Sequence, residues 1–258
     1  MIGAAGASPP PFAFVADPCA APLASRRNRA NSRPTMWQLY QFPLCPFSRK
    51  VRLLLGEKNE GYELVRESPW EQRDEFVDLN PAGQTPVLVD KNSGMVLIDS
   101  AAICEYLEET IERASALPGT SANRAEIRRL ATWFDMKFHD EVVRPLMYER
   151  MEKRLVHRLS PDAKMLREAM RLANQHLDYV DWLLDHRRWI AGPLFSLADL
   201  AAAAHISVAD YLGGIDWRGH ERTRHWYSGM KSRPSFRPML SERMEVISPP
   251  DHYDKVDF

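Results

Sequence analysis

"MWQLYQFPLCPFSRKVRLLLGEKN", residues 36–59, decides the fold. Its first seven residues alternate as a strand does. After the Cys45-Pro46 corner, Phe47, Val51, Leu54 and Leu55 recur at helical spacing, and the cations among them are expected on the opposite, solvent-facing side. A strand that turns through proline into a helix is a β-α start. Working outward, residues 62–67 read as a second strand, 69–79 as a short helix and 85–90 as a third strand. The turn "KNSG" then leads to a fourth strand at 95–99, and "SAAICEYLEETI" (100–111) places Ile103, Leu107 and Ile111 on one helix face. The order β-α-β-α-β-β-α is that of a thioredoxin-like sheet with helices on both faces.

Beyond the linker "RASALPGTS" (113–121) strand signals stop. Residues 123–157 carry helical periodicity, which Pro145 is expected to kink or break because it lacks a donor. A long helix is expected from Ser160, with Pro161 at its first position, through 188. Another fills 195–213, with Ser196 as N-cap, Asp199 completing a capping box and Phe195 stapling onto Leu200; a last one covers 222–236. The expected organisation is an extension (1–35), a thioredoxin-like α/β domain (36–115), an all-helical domain (120–240) and a tail (241–258).

Composition limits the function. The chain has 258 residues, 34 basic and 35 acidic, a formal net charge of -1, so no global field gathers nucleic acid or anionic lipid and electrostatic partners must meet a local patch. Cys19, Cys45 and Cys104 are an odd number without metal-ligand spacing, which suits a reducing compartment. No apolar run approaches the roughly 18 residues of a membrane span. Residues 1–35 hold 6 of the 19 prolines and show no period, so they are read as a disordered extension, with Met36 a candidate translation start. Their basic cluster follows the apolar residues, the wrong order for a signal peptide. His139 with Asp140 and Glu141, and His205 with Asp210, lack a third ligand at metal-site spacing, and packing accounts for Tyr40 and Tyr106.

Three motifs carry a resemblance to the glutathione transferase superfamily: "NPAGQTPVL" (80–88), "IDSAAICEYL" (98–107) and "FSLADLAAA" (195–203). The fold that this resemblance implies is a thioredoxin-like domain followed by an all-helical one. It further implies that Pro86 is cis, that Thr85 offers its backbone to the cysteinyl part of glutathione, and that Asp99 and Ser100 hold the γ-glutamyl group at a helix N-terminus. Cys45 stands where omega-like members carry a catalytic cysteine, with Ser48 in place of a resolving thiol. Arg49 and Lys50, one turn on, are expected to favour its thiolate. Among Glu71, Gln72 and Arg73, only Arg73 offers the charge needed by the glycyl carboxylate.

"FPLCPFSRKVRLLLGEK", "LNPAGQTPVLV", "ADYLGGIDW" and the terminal "HYDKVDF" resemble a bacterial branch of the superfamily that binds the tubulin-like division protein FtsZ. The resemblance implies a dimeric cytoplasmic adaptor at the division site, with FtsZ filaments as partner, other division proteins reached through the tail, and glutathione possible but not required. Residues 144–158 form a local basic face, from which Arg150, Lys153 and Arg154 are candidate contacts with an acidic partner surface. After the double proline, the tail offers Tyr253, Val256 and Phe258 as anchors of an extended docking peptide; the competing reading folds it back over its own domain. Trp37 is open between an exposed anchor and a core or dimer residue. The alternative function is a glutathione-dependent thiol transferase that uses Cys45.

Overall fold

The computed structural model describes residues 37–258; the expectations for residues 1–35, Met36 as start and Cys19 lie outside them. Strand β1 (Trp37–Gln41) occupies the middle of a four-stranded sheet. It pairs parallel with β2 (Tyr62–Arg66) and antiparallel with β3 (Val87–Asp90), which pairs antiparallel with β4 (Val96–Ile98). The order β2-β1-β3-β4 follows from the helical crossover between β1 and β2 and the tight turn between β3 and β4. Helices α1 (Pro46–Glu57), α2 (Asp74–Leu79) and α3 (Ser100–Thr110) complete the thioredoxin-like part. Leu39, Phe42, Val87 and Leu88 are wholly buried, and Trp37 lies in the core, edge-on to Tyr106 at 6.4 Å, which excludes its use as an exposed anchor.

The expected solvent face of α1 does not exist. Arg49, Lys50, Arg52 and, just past the helix end, Lys58 are all buried. The reason is that α1 packs against α3 on one hand and against residues 197–211 of the helical part on the other, and acids and carbonyls from both parts of the chain meet the charges. Lys50 pairs with Asp135, and Arg52 with Glu242 at 2.6 Å. Lys58 reaches Glu108 at 2.8 Å and the carbonyls of Ile111 and Arg113 at 3.0 Å. A buried cation is tolerated only with such partners.

The helical part begins with α4 (Ser121–Thr132), capped by the reciprocal Thr120–Asn123 box. Pro145 does not end this run. The chain stays helical through wider π turns at Trp133–Val143 and Tyr148–Glu152, with α5 (Arg144–Met147) between them and α6 (Lys153–Leu155) after. The Arg144 N–H donates to the carbonyl of His139, five residues back, a wider turn that leads into the residue with no donor. Helix α7 (Ala163–His186) starts later than expected: its N-cap is Asp162, not Ser160, and its carboxylate accepts from Lys164 at 2.7 Å and Met165 at 3.4 Å.

Helix α8 (Leu197–Tyr211) is the axis of the fold, since each of its residues is buried. Its capping box is formed as the spacing predicts: the Ser196 N–H donates to Asp199 at 3.0 Å. The Asp199 carboxylate also takes Ile190 N–H at 3.0 Å and Trp226 Nε1 at 3.1 Å, while burial pushes its pKa up to about 6. Phe195 packs edge-on to Trp189 at 5.1 Å. Helices α9 (Glu221–Ser232) and α10 (Arg237–Leu240) close the bundle, and the described residues form one compact unit.

The tail is a correction. It is not an extended free peptide but a strap over α8 and α9. Tyr253 is fully buried, edge-on to Tyr211 at 5.1 Å, and its hydroxyl accepts from Arg49 Nη1 at 3.0 Å. His252 pairs with buried Asp210 at 2.8 Å, and Lys231 Nζ donates to the carbonyls of His252 and Lys255 at 3.2 and 2.7 Å. Val256 is held by its carbonyl, which accepts from Ser228 Oγ at 2.5 Å. Phe258 is half-buried between Trp217 and His252, with Lys231 Nζ 3.8 Å from its ring centre. Few apolar residues suffice because aromatic rings and a cation over a ring give the segment its contacts.

Candidate functional site

The chemistry-bearing residues meet where the C-terminal end of β1 faces the N-termini of α1 and α3. Cys45 is the N-cap of α1, its Sγ accepting from Ser48 N–H at 3.5 Å and donating to the Thr85 carbonyl at 3.5 Å. The thiol is only 7% exposed. The expected cationic neighbours point elsewhere. Arg49 Nε donates to the Pro43 carbonyl at 2.8 Å and Nη1 to Ser207 Oγ at 2.8 Å, while Lys50 is held by Asp135. Cys104, the other described cysteine, is fully buried and its pKa is pushed up to about 12 by that burial.

Beside Cys45 opens a cleft of about 440 Å³ lined by Phe47, Thr85, Pro86, Asp99, Ser100 and Asp135, among others. The Thr85–Pro86 bond is cis, as the resemblance implies. Asp99 has φ +74°, a left-handed conformation that costs a non-glycine residue about 1–3 kcal/mol. Capping offsets that cost: the Asp99 carboxylate accepts from Ala101 N–H at 2.7 Å and Ala102 N–H at 3.2 Å. Thr85, Pro86, Asp99 and Ser100 are therefore brought together as expected.

These residues do not fit glutathione well. Two of the α3 N-terminal donors, the N–H groups of Ala101 and Ala102, are already taken by the chain's own Asp99 carboxylate, which leaves the N–H and hydroxyl of Ser100 for a γ-glutamyl carboxylate. Arg73 is bound to Glu67, with its Nε 3.1 Å from Oε2, and does not line the cleft. Among the described residues lining it there is no lysine or arginine, whereas Asp99 and Asp135 both do. Lys50 already meets Asp135, so what counts against a ligand that brings two carboxylates is the lack of a lining cation among the described residues to pair with them.

Behind the cleft lies a polar cluster that the sequence did not disclose. His205 is wholly buried; its Nδ1 bonds the Ala201 carbonyl at 3.0 Å, and its Nε2 has no partner. The Phe47 ring sits 4.8 Å from the His139 ring and 5.2 Å from that of His205. Burial lowers the pKa of both histidines, and raises that of Asp135. Among the described residues no group of three His, Cys, Asp or Glu side chains has the arrangement of a metal site.

The candidate partner residues fall in two places. Arg150 and Arg154 share a surface groove, but Lys153 does not line it and pairs with Glu149 at 2.7 Å. Tyr253, Val256 and Phe258 belong to the strap already described, so Tyr253 has no free surface to offer.

The model of the glutathione S-transferase N-terminal domain matches residues 44–110. The chain is 45% identical over 222 residues to FtsZ-localized protein A of Caulobacter vibrioides, covering 85% of this chain and 97% of that protein. The solved structure of FzlA from C. crescentus superposes with a TM-score of 0.84 at 44% identity, over 86% of this chain and all of that one (100%). A glutathione S-transferase from Rhodospirillum rubrum gives 0.84 at 45% identity, over 86% and 100% of the two chains. A 45% identity sustained over nearly the whole of a relative, on a shared fold, places the chain in that relative's family. The protein belongs to the FtsZ-localized protein A family of the glutathione S-transferase superfamily.

Proposed function

We propose that the protein binds FtsZ filaments as a dimeric adaptor at the cytoplasmic face of division, without efficient transferase activity. The observation that carries this reading is the 45% identity over 97% of a relative whose name records its localization with FtsZ. The site agrees with it: the cleft keeps the superfamily's backbone while its acids and its self-capped α3 leave little to hold an anionic thiol tripeptide. Among the described residues no helix is long and apolar enough to cross a membrane.

A second reading has one observation of its own. Cys45 Sγ caps a helix N-terminus beside a cleft, the geometry of a thiol-transfer nucleophile. One experiment separates the two: co-sedimentation of wild type and Cys45→Ser with GTP-assembled FtsZ, with glutathione titrated into both by calorimetry. Equal pelleting of both proteins, with no saturable glutathione heat, supports the adaptor. Loss of pelleting, with glutathione heat in wild type alone, overturns it in favour of thiol chemistry. Sedimentation equilibrium on the same samples tests the dimer.

A further inference from the structure

Most arginines of the helical part meet a carboxylate. Arg128 pairs with Glu105, Arg129 and Arg187 with Glu126, Arg171 with Glu168, Arg222 with Asp185 and Arg233 with Glu57. Three that do not converge on one groove of about 630 Å³: Arg150, Arg154 and Arg158. Arg150 and Arg154 stand one helical turn apart, held by neutral carbonyls: Arg150 Nη1 donates to Leu212 O at 2.5 Å and Arg154 Nη1 to Val246 O at 3.1 Å. Arg158 follows from the turn after the helix, at φ +54°. The remaining wall is apolar, formed mainly by Leu159, Leu166 and Ile247, and among the described residues no acidic one lines the groove.

That arrangement has an electrostatic cost within the free chain. Burial lowers the pKa of Arg150, with no carboxylate beside it to offset the loss of solvent. Its two neighbours add like charge. In a protein of net charge -1, three uncompensated guanidinium groups at one place are a local exception, and an incoming anion relieves the repulsion. The pitch suggests the form of that anion. Guanidinium groups one helical turn apart, about 5–6 Å at their Cβ atoms, match carboxylates at alternate positions of an extended chain, about 6.5 Å apart. The apolar wall takes the side chains between them.

We propose that this groove binds an extended acidic peptide of a partner protein, with aspartate or glutamate at alternate positions and bulky apolar residues between. Charge complementarity selects this occupant, and the apolar wall distinguishes it from a free phosphate. The binding does not depend on which division protein supplies the segment, so it stands or falls apart from filament binding.

The test is fluorescence anisotropy of a labelled peptide, GSDLELDLGS, titrated with the full chain. Saturable binding is expected, weakening steeply as salt rises from about 50 to about 300 mM. Arg154→Gln with Arg158→Gln, both exposed positions, should weaken it about tenfold or more. Arg124→Gln with Arg237→Gln, which remove equal charge from exposed positions elsewhere, should leave it within about twofold. The peptides GSNLQLNLGS and GSDAEADAGS should each bind more weakly than the parent. The proposal is overturned if the parent peptide does not saturate, if the groove variant binds as wild type does, or if inorganic phosphate or phosphatidylserine vesicles bind at the groove while the peptide does not.

Discussion

Replacing Tyr253 with alanine tests the strap. The side chain is wholly buried, so truncation leaves a large cavity against Tyr211, and an aromatic-to-alanine change in a core costs about 3–5 kcal/mol. It also removes the acceptor of Arg49 Nη1, but that guanidinium keeps Ser207 Oγ at 2.8 Å and the Pro43 carbonyl at 2.8 Å, so the hydrogen-bond share is at the low end, about 1 kcal/mol. Tyr253→Phe isolates that share, and the difference between the two variants is the packing. For a unit of this size, about 2–4 °C of melting temperature per kcal/mol puts Tyr253→Ala roughly 6–20 °C below wild type. Urea denaturation and calorimetry read both quantities. If Tyr253→Ala unfolds within about 1 kcal/mol of wild type, the strap does not hold in solution, and the tail is the free docking peptide that its composition suggests.

Other outcomes follow from the same coordinates. Gly56→Ala should destabilise by about 1–3 kcal/mol, since an added Cβ would lie 2.8 Å from Ser235 Cβ and 3.0 Å from Ser235 Cα; unchanged denaturation would refute the close approach of α1 to the residues after α9. His205 is buried and held neutral by desolvation, its pKa well below 6.5, so the unfolded chain takes up a proton before the folded one does. Stability then falls as pH drops below 6.5, by up to about 1.4 kcal/mol per pH unit for this group, and the gap between wild type and His205→Leu should narrow from pH 7.5 to about pH 5. A gap independent of pH would show that His205 takes up its proton at the same pH in the folded as in the unfolded chain, and a gap that widens on acidification would show that the fold holds the proton. Glutathione titrated to about millimolar concentration should give no saturable heat, while Asp99→Asn, which removes the fixed charge at the α3 terminus, should bind it no more weakly than wild type; tight binding to wild type would overturn the account of the cleft.

The order of strands and helices was legible because each element announces itself locally. Alternation in 36–42, the Cys45-Pro46 corner and the Ser196–Asp199 box all act within a few residues, and so did the cis bond at Pro86 once the surrounding motif was recognised. What local pattern could not give were partners distant in the chain. Arg49, Lys50 and Arg52 read as a solvated face because their counterparts, Asp135, Ser207, Glu242 and Tyr253, lie 85 to 204 residues away. The tail misleads for a related reason: its aromatic residues are too few to form a core but enough to fill one. Residues 80–100 identified the cleft, but not that Asp99 would turn its carboxylate onto its own helix. The groove arginines are visible as part of the charge run 144–158, yet only the fold separates Arg150, Arg154 and Arg158, which line one groove, from Lys153, which pairs with Glu149.

The buried cations of α1 have a further meaning for how the molecule can be divided. A thioredoxin-like module is commonly portable, able to be cut from one chain and joined to another. Here excision after α3 would take from Lys50 its Asp135, from Arg52 its Glu242 and from Arg49 its Ser207 and Tyr253. The fragment would expose or strand the charges at the centre of its own helix. The first helix therefore travels with the later elements that hold Asp135, Ser207, Glu242 and Tyr253, and not with its sheet alone.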